Sequence, residues 1–199
     1  EYVKLQQYLN FDQEGDTRYE LVNGELVPMA QPTGEHGAIC EFLYDQFRDE
    51  IARLEQNGTA KLMMIAIQSP RGGRWETARI PDLMILDQSQ WEAMRDRPQD
   101  AGKANRAAII YLNEPPPLLV VEVVSPSTRN TDYRAKRVEY NVLNIPEYWV
   151  VDSQEQKVTV FQSIDQLYEG EEFVGGDNII SSLFPNLNCS VQQIFNPSK

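Results

Sequence analysis

The segment LLVVEVVS, residues 118–125, constrains the fold of this chain more than any other. It is apolar on both faces of a strand, which is typical of a central strand covered on each side. Glu122 interrupts the run, and an unpaired ionised carboxylate there would cost several kcal/mol. The sequence therefore predicts a central strand whose one acidic residue is compensated, either by a buried salt bridge to Arg or Lys or by a bound cation.

A second acidic residue has a similar setting in ARIPDLMIL, residues 78–86. Asp82 follows Pro81 and shares its face of the predicted strand with apolar side chains. If this strand lies beside 118–125 with Asp82 opposite Glu122, the carboxylates are a few ångströms apart, and such like charges need a proton or a cation between them. A hard divalent cation with oxygen ligands meets that need. A local turn contact is the simpler alternative for Asp82 taken alone.

The remaining patterns predict a mixed sheet flanked by helices. Asn23 and Gly24, between two β-prone runs, predict a hairpin with a type I′ turn, and helical spacing of apolar residues predicts an amphipathic helix over 36–57. Further predicted elements are strands at 61–69, 147–152 and 157–163, a short helix ending at Arg95, a helix over 131–143, and a final strand and short helix. This order predicts an α/β fold of the mixed-sheet α+β kind with helices on both faces. We expect a single domain over 1–199 with a long insertion at about 87–117.

The charge of the chain limits its partners. Its 18 basic and 30 acidic residues give a net charge of −12, which repels nucleic acid at long range. Arg129, Arg134, Lys136 and Arg137 cluster within 128–137, so we expect any polyanion to approach that stretch. The sequence contains neither a run of about 18 apolar residues nor a signal-peptide pattern at its start, which predicts no membrane contact and a cytoplasmic location.

The cysteines and the one histidine argue against a zinc site. Cys40 and Cys189 lack C-x-x-C spacing and a nearby histidine cluster, so we expect buried thiols. His36 lies near a predicted helix start, where a capping or packing role is the expected one.

Lys136 lies on the predicted helix that follows the Glu122 strand. Asp132, Lys136 and Tyr140 are spaced i, i+4 and i+8, on one face of that helix. A helix packed on the strand can bring the lysine over Glu122. Two roles stay open for Lys136: positioning an attacking water or neutralising a phosphate, and a simple ion pair with Asp132.

Five motifs in order resemble one known family. They are YELVNGEL, IPDLMIL, VVEVVSPST, the spacing Asp132-x-x-x-Lys136-x-x-x-Tyr140, and EYWVVD. Together they span nearly the whole chain and resemble the Uma-type restriction endonuclease family, a domain-of-unknown-function family of the PD-(D/E)XK nuclease superfamily. The resemblance implies a restriction-endonuclease-like core, in agreement with the predicted order of elements.

The resemblance also implies a metal site. Asp82, Glu122 and the backbone carbonyl of Val123 are expected to hold Mg²⁺, or Mn²⁺ in its place, while a lysine assists the attacking water. The lysine position of the E-x-K motif is Val124 in this sequence. Lys136 is therefore the expected replacement.

Accessory residues and the function follow from the same resemblance. Glu20, Asp132 and Tyr140 are candidate accessory residues, although exposed hairpin charge is the alternative interpretation of Glu20 and of Glu25. The implied function is a Mg²⁺-dependent endonuclease that hydrolyses phosphodiester bonds in DNA, as a homodimer. The alternative is a catalytically silent module that binds nucleic acid or protein, favoured by the valine at position 124 and the acidic composition.

Overall fold

The computed structural model describes residues 2–10, 17–70, 76–97 and 108–197. The helices are α1 (Leu5–Leu9), α2 (Gly34–Arg53), α3 (Gln88–Arg95), α4 (Arg137–Val142) and α5 (Val191–Phe195), and a π-helical turn covers Thr131–Lys136. The strands are β1 (Tyr19–Val22), β2 (Glu25–Pro28), β3 (Gly58–Leu62), β4 (Ala66–Gln68), β5 (Ala78–Arg79), β6 (Leu83–Asp87), β7 (Ile109–Ile110), β8 (Leu119–Val123), β9 (Glu147–Asp152), β10 (Lys157–Ile164) and β11 (Leu167–Val174).

The strands form two mixed sheets. The larger has the order β11-β10-β9-β8-β6-β3, and the smaller has the order β2-β1-β5-β4-β7. Within the larger sheet β8 pairs with β9 in parallel and with β6 antiparallel, so the strand that carries Glu122 is central, as predicted. The prediction of an α/β fold with a mixed sheet is confirmed, but the sequence did not predict that the strands divide into two sheets.

Helices cover both faces of the larger sheet, because side chains of each strand alternate between two apolar layers. On one face α2 packs Ile39, Leu43 and Phe47 against the odd-numbered residues of β6 and β8. On the other face Tyr140 of α4 packs against the even-numbered ones, among them Val120. None of the helices formed by the described residues is both long enough and apolar enough to cross a membrane.

The hairpin prediction is confirmed. β1 and β2 pair with Val22 opposite Glu25, which leaves Asn23 and Gly24 as a two-residue turn. Both have positive φ, 52° and 80°, as a type I′ turn requires.

Two predicted strands are wrong as continuous elements, because each one runs through both sheets. The segment 61–69 divides into the end of β3 and β4, with a break at Met63, whose φ is 40°. The segment 78–86 divides into β5 and β6 at Pro81, which has no N–H to donate to a ladder. This second break places Asp82 at the junction between the two sheets, just before β6 begins.

The other differences concern helices. The helix predicted over 131–143 begins as the π-helical turn, a wide geometry that often marks functional sites, and continues as α4. The long insertion contributes α3 and the strand β7, while its residues 98–107 lie outside the described part of the chain. The cap of α3 is Asp87, whose side chain accepts a hydrogen bond from Ser89 N.

Candidate functional site

Asp82 and Glu122 face each other across neighbouring strands. The antiparallel register pairs Leu83 with Val121, and its continuation by one residue puts Asp82 opposite Glu122. Asp82 Oδ2 also accepts a hydrogen bond of 2.7 Å from Val123 N, which fixes the carboxylate against β8. Both carboxylates are buried, so the arrangement foreseen from the two apolar strands is present.

Lys136 reaches Glu122 from the π-helical turn. Its Nζ lies 2.8 Å from Glu122 Oε2, 3.2 Å from Asp132 Oδ1 and 3.8 Å from Glu20 Oε1. Val124 is also buried but carries no charge, and Lys136 occupies the space beside Glu122. The structure therefore contains both the salt bridge that the sequence offered as one way to compensate Glu122 and the ion pair with Asp132 that it offered as one role of Lys136.

Two tyrosine hydroxyls, from α4 and from β9, donate hydrogen bonds to Glu122 and Asp132. Tyr140 Oη donates a hydrogen bond of 2.7 Å to Glu122 Oε1. Tyr148 Oη donates one of 2.9 Å to the main-chain carbonyl of Asp132, and the two tyrosine rings meet edge to face at 5.0 Å. These contacts orient the Glu122 carboxylate and the main chain at Asp132.

Arg79 extends the site into a network that the sequence did not predict. Its guanidinium binds both oxygens of Glu139, at 2.7 and 2.8 Å, and its Nη1 lies 3.0 Å from Glu20 Oε2. Glu20 Oε1 accepts a hydrogen bond from Ile80 N. Glu20 is thus buried, so the interpretation as exposed hairpin charge is wrong for it, whereas Glu25 is exposed. An arginine inside the apolar segment 78–86 was the available signal.

His36 also contacts the site, in addition to its role at the start of α2. Its backbone N–H donates to the capping side chain of Thr33. Its ring lies between two partners, with Nε2 3.2 Å from Asp82 Oδ1 and Nδ1 3.6 Å from Cys40 Sγ. Burial opposes the charged imidazole, but the hydrogen bond and the charge of Asp82 outweigh it and raise the pKa of His36. The cap of α2 is Thr33, so the capping role expected for His36 is wrong, whereas the expected packing role holds and includes the contact with Asp82.

The electrostatics of the cluster are dominated by burial. Burial raises the pKa of Glu122 well above its usual value; Lys136 opposes this shift, and Asp132 and Asp82 add to it. Burial alone would lower the pKa of Lys136, but Glu122, Glu20 and Asp132 together raise it far above the usual value. Lys136 therefore stays an ammonium that Glu122 and Asp132 share, while Glu20 also pairs with Arg79.

The cluster lies at the inner end of a cleft of about 560 Å³. The loop before α2, the segment 124–128 after β8, and the turn between β9 and β10 form its walls. Arg79 and Lys136 line it, but both are buried and contact carboxylates. The basic stretch 128–137 does not form one basic surface either, because Arg129 pairs with Asp152 and Glu155.

Comparison with known proteins identifies the family and the fold of the chain. The family Uma2, described as "putative restriction endonuclease", matches residues 5–192. The structure is similar to the crystal structure of a protein from Anabaena variabilis ATCC 29413 described as a putative nuclease belonging to DUF820. The TM-score is 0.72, with 18% sequence identity over 98% of each chain. At this identity the likeness shows the fold alone. Among curated proteins no relative matches the chain.

Proposed function

The chain belongs to the Uma2 family of putative restriction endonucleases, and from this membership and its site we propose that it is a Mg²⁺-dependent nuclease that hydrolyses phosphodiester bonds in DNA. The observation that carries the proposal is the meeting of Asp82, Glu122 and Lys136 at the inner end of a cleft. Two carboxylates can hold the metal ion that assists phosphodiester hydrolysis, and an adjacent ammonium can bind the attacking water or a phosphate oxygen.

The donor set fits a hard divalent cation. Asp82, Glu122 and the main-chain carbonyl of Val123 offer oxygen ligands only, which suit Mg²⁺ and Mn²⁺. The neighbouring carboxylate of Asp132 shares Lys136 with Glu122, so this one lysine does not compensate both of them, whereas Glu20 pairs with Arg79 as well. A cation bound there would lower the pKa of a bound water and offset the charge that develops on the phosphodiester.

The residues of the chain have separate roles in this proposal. Lys136 keeps its proton, because its pKa is raised far above the usual value, so it donates a hydrogen bond to the attacking water or to a phosphate oxygen and does not act as the base. Asp132, one turn earlier, holds the ammonium in place from 3.2 Å. Tyr140 fixes the orientation of Glu122 through its hydrogen bond of 2.7 Å. Glu20 lies at 3.8 Å from the lysine and is an accessory residue.

Substrate and assembly complete the proposal. A net charge of −12 makes encounter with DNA slow unless salt or a metal ion screens the repulsion. We propose that residues 1–199 act as one domain. Two copies pair as a homodimer, since a duplex cut needs one site for each strand.

The direct test is cleavage by the purified chain. Single-stranded, duplex and branched DNA are incubated with Mg²⁺, with Mn²⁺ and with a chelator, and the products are separated on denaturing gels. We expect metal-dependent cleavage that disappears in Asp82→Ala and in Glu122→Gln. Absence of cleavage of every substrate with either metal would contradict the nuclease proposal.

A catalytically silent module is the second candidate, and one observation favours it. Lys136 and Tyr140 already satisfy both oxygens of Glu122 without any metal. Metal-linked stability separates the two candidates, because a ligand that binds only the folded state stabilises it by about 2.7 kcal/mol at a concentration of 100 times Kd. The nuclease proposal expects this stabilisation with Mn²⁺ in the wild type and its loss in Glu122→Gln, whereas a silent module shows neither.

A further inference from the structure

A second set of donor atoms lies on the α2 side of Asp82. His36 and Cys40 are one helical turn apart on α2, and the ring of His36 contacts Cys40 Sγ at 3.6 Å and Asp82 Oδ1 at 3.2 Å. With one donor atom taken from each residue, the three atoms all lie within 4.8 Å of one another. One nitrogen, one sulfur and one oxygen thus meet at the junction between the helix and the strand.

This donor set differs in kind from the oxygen ligands around Glu122. Sulfur and imidazole nitrogen select zinc and similar borderline or soft cations, whereas carboxylate and carbonyl oxygens suit Mg²⁺. Bonds of about 2.0–2.3 Å put the ligands of a tetrahedral Zn²⁺ about 3.5 Å apart, so the donor atoms, which lie within 4.8 Å of one another, need to approach by about 1.3 Å at most. Three protein ligands leave a fourth position for a water from the cleft.

The position allows both entry and retention of an ion. His36 and Asp82 line the cleft, so a cation can reach them from solvent. Cys40 lies behind them, buried among the apolar side chains of α2. Helix spacing fixes His36 relative to Cys40, and the hydrogen bond from Val123 N fixes Asp82.

We propose that His36, Cys40 and Asp82 form a site for a thiophilic divalent cation of the Zn²⁺ class, and that its occupation removes Asp82 from the Mg²⁺ site and inhibits the nuclease. On binding, Cys40 releases its thiol proton to solvent, and His36 coordinates through one ring nitrogen while the other keeps its proton. The inhibition rests on the proposed nuclease function, but the binding does not. The sequence argued against zinc because it lacks C-x-x-C spacing and a histidine cluster; Asp82, the third ligand, is distant in the chain and joins His36 and Cys40 only in the fold.

Cadmium is the probe for binding, because a Cd²⁺–thiolate bond gives an ultraviolet charge-transfer band that Mg²⁺ sites lack. The reduced, metal-free chain of residues 1–199 is titrated with Cd²⁺. We expect one equivalent to produce the band, Cys40→Ser to abolish it, and His36→Ala to weaken binding by about tenfold or more. Cys189→Ser is the matched control, since Cys189 is the other buried thiol and belongs to the end of the apolar core near α5.

The outcomes are distinct. A band that survives in Cys40→Ser, disappears in Cys189→Ser, or fails to form overturns the site; in the last case His36 serves only to orient Asp82. His36→Ala leaves the buried core intact, so it tests the site even if Cys40→Ser is unstable in thermal melts.

Displacement of Mn²⁺ by Zn²⁺, followed by the electron paramagnetic resonance of free Mn²⁺, tests the sharing of Asp82. We expect Zn²⁺ to displace Mn²⁺ from the wild type and to displace at least about tenfold less Mn²⁺ from Cys40→Ser, which is the factor given above for the loss of a ligand. Equal displacement from both proteins overturns the sharing of Asp82 between the two sites.

Discussion

Glu122 and Glu147 are two buried carboxylates on neighbouring parallel strands, β8 and β9, and they are satisfied in opposite ways. Glu147 is fully buried, at 0% exposure. Its Oε1 accepts a hydrogen bond of 2.6 Å from Trp149 Nε1, and its Oε2 accepts bonds from Ser182 N, Ser182 Oγ and Leu183 N. In the part of the chain that the structure describes, no cation pairs with it. Fixed neutral donors alone hold this charge.

Glu122 is almost as buried, at 3% exposure, but its surroundings are ionic. It has one neutral donor, Tyr140, and one cation, Lys136, and that cation is shared with Asp132. Backbone N–H and hydroxyl donors that surround Glu147 satisfy its carboxylate completely and leave no place for a cation. Lys136, in contrast, is shared between Glu122 and Asp132, so part of the negative charge of these carboxylates is left for a bound cation to neutralise. The type of partner, and not the degree of burial, therefore separates a structural carboxylate from a candidate metal ligand.

The largest expected effect is on catalysis. Glu122→Gln removes a metal ligand and should lower metal-dependent DNA cleavage by roughly a thousandfold or more, since a bound metal contributes several kcal/mol to the transition state. Glu147→Gln makes the same chemical change one strand away and should keep cleavage within about threefold of wild type when folded protein is compared. The measurement is the single-turnover rate with Mg²⁺. Equal losses in the two variants would remove the distinction between the two carboxylates.

The next effect is on stability. Lys136→Met leaves several buried carboxylates without their shared cation, and breaking such a pair costs about 3–5 kcal/mol. We expect that loss in urea unfolding of the metal-free protein, with part of it recovered on addition of Mn²⁺. Lys157→Met is the control, because Lys157 pairs with the exposed Glu172 at 2.8 Å and such surface pairs contribute about 1 kcal/mol or less. If Lys136→Met is as stable as the control, Lys136 does not compensate several buried carboxylates, and the prediction is wrong.

Local sequence patterns predicted some residues of the site, whereas contacts between residues that are distant in the chain could not be predicted from them. Glu122 was visible because one charge interrupts an apolar strand, and Lys136 because its helical spacing is local. Arg79 lies in an apolar strand too, but its partner Glu139 is distant in the chain, and only the tertiary fold shows that they meet. The contact between His36 and Asp82 joins a helix to a strand and is equally invisible to local patterns.

The division into two sheets was also hidden from the sequence. The segments 61–69 and 78–86 each show continuous strand propensity, and the change of sheet occurs at single residues, Met63 and Pro81. The proline alone gives a sequence signal, and it served to place Asp82 but not to divide the strand. Glu147 in EYWVVD carried no signal that distinguishes it from Glu122, because neutral donors from residues 182 and 183 are remote in sequence.

A smaller effect on stability is expected for Glu147→Gln. The new amide NH₂ replaces one acceptor oxygen, and in the place of Oε2 it would face the donors of Ser182 and Leu183. Unsatisfied buried donors cost about 1–3 kcal/mol, so we expect a loss of about 2 kcal/mol in urea unfolding. Because no metal binds at Glu147 in our proposal, Mn²⁺ should stabilise both proteins by the same amount and leave the difference from wild type unchanged. Recovery specific to the variant would contradict a purely structural Glu147.

The smallest expected effect is that of Glu122→Gln on the stability of the metal-free protein. Lys136 would still have Asp132 at 3.2 Å and Glu20 at 3.8 Å, and Tyr140 could still donate to the amide oxygen. Removal of one charge from a group of like charges offsets the lost ion pair, so we expect a change within about 1 kcal/mol, in contrast to the larger loss in Glu147→Gln. Urea unfolding in a chelator measures both variants under the same conditions. An unsatisfied buried group costs about 1–3 kcal/mol, so a loss of about 2 kcal/mol or more would mean that Glu122 stabilises the fold as Glu147 does. The two neighbouring carboxylates would then differ less than their partners indicate.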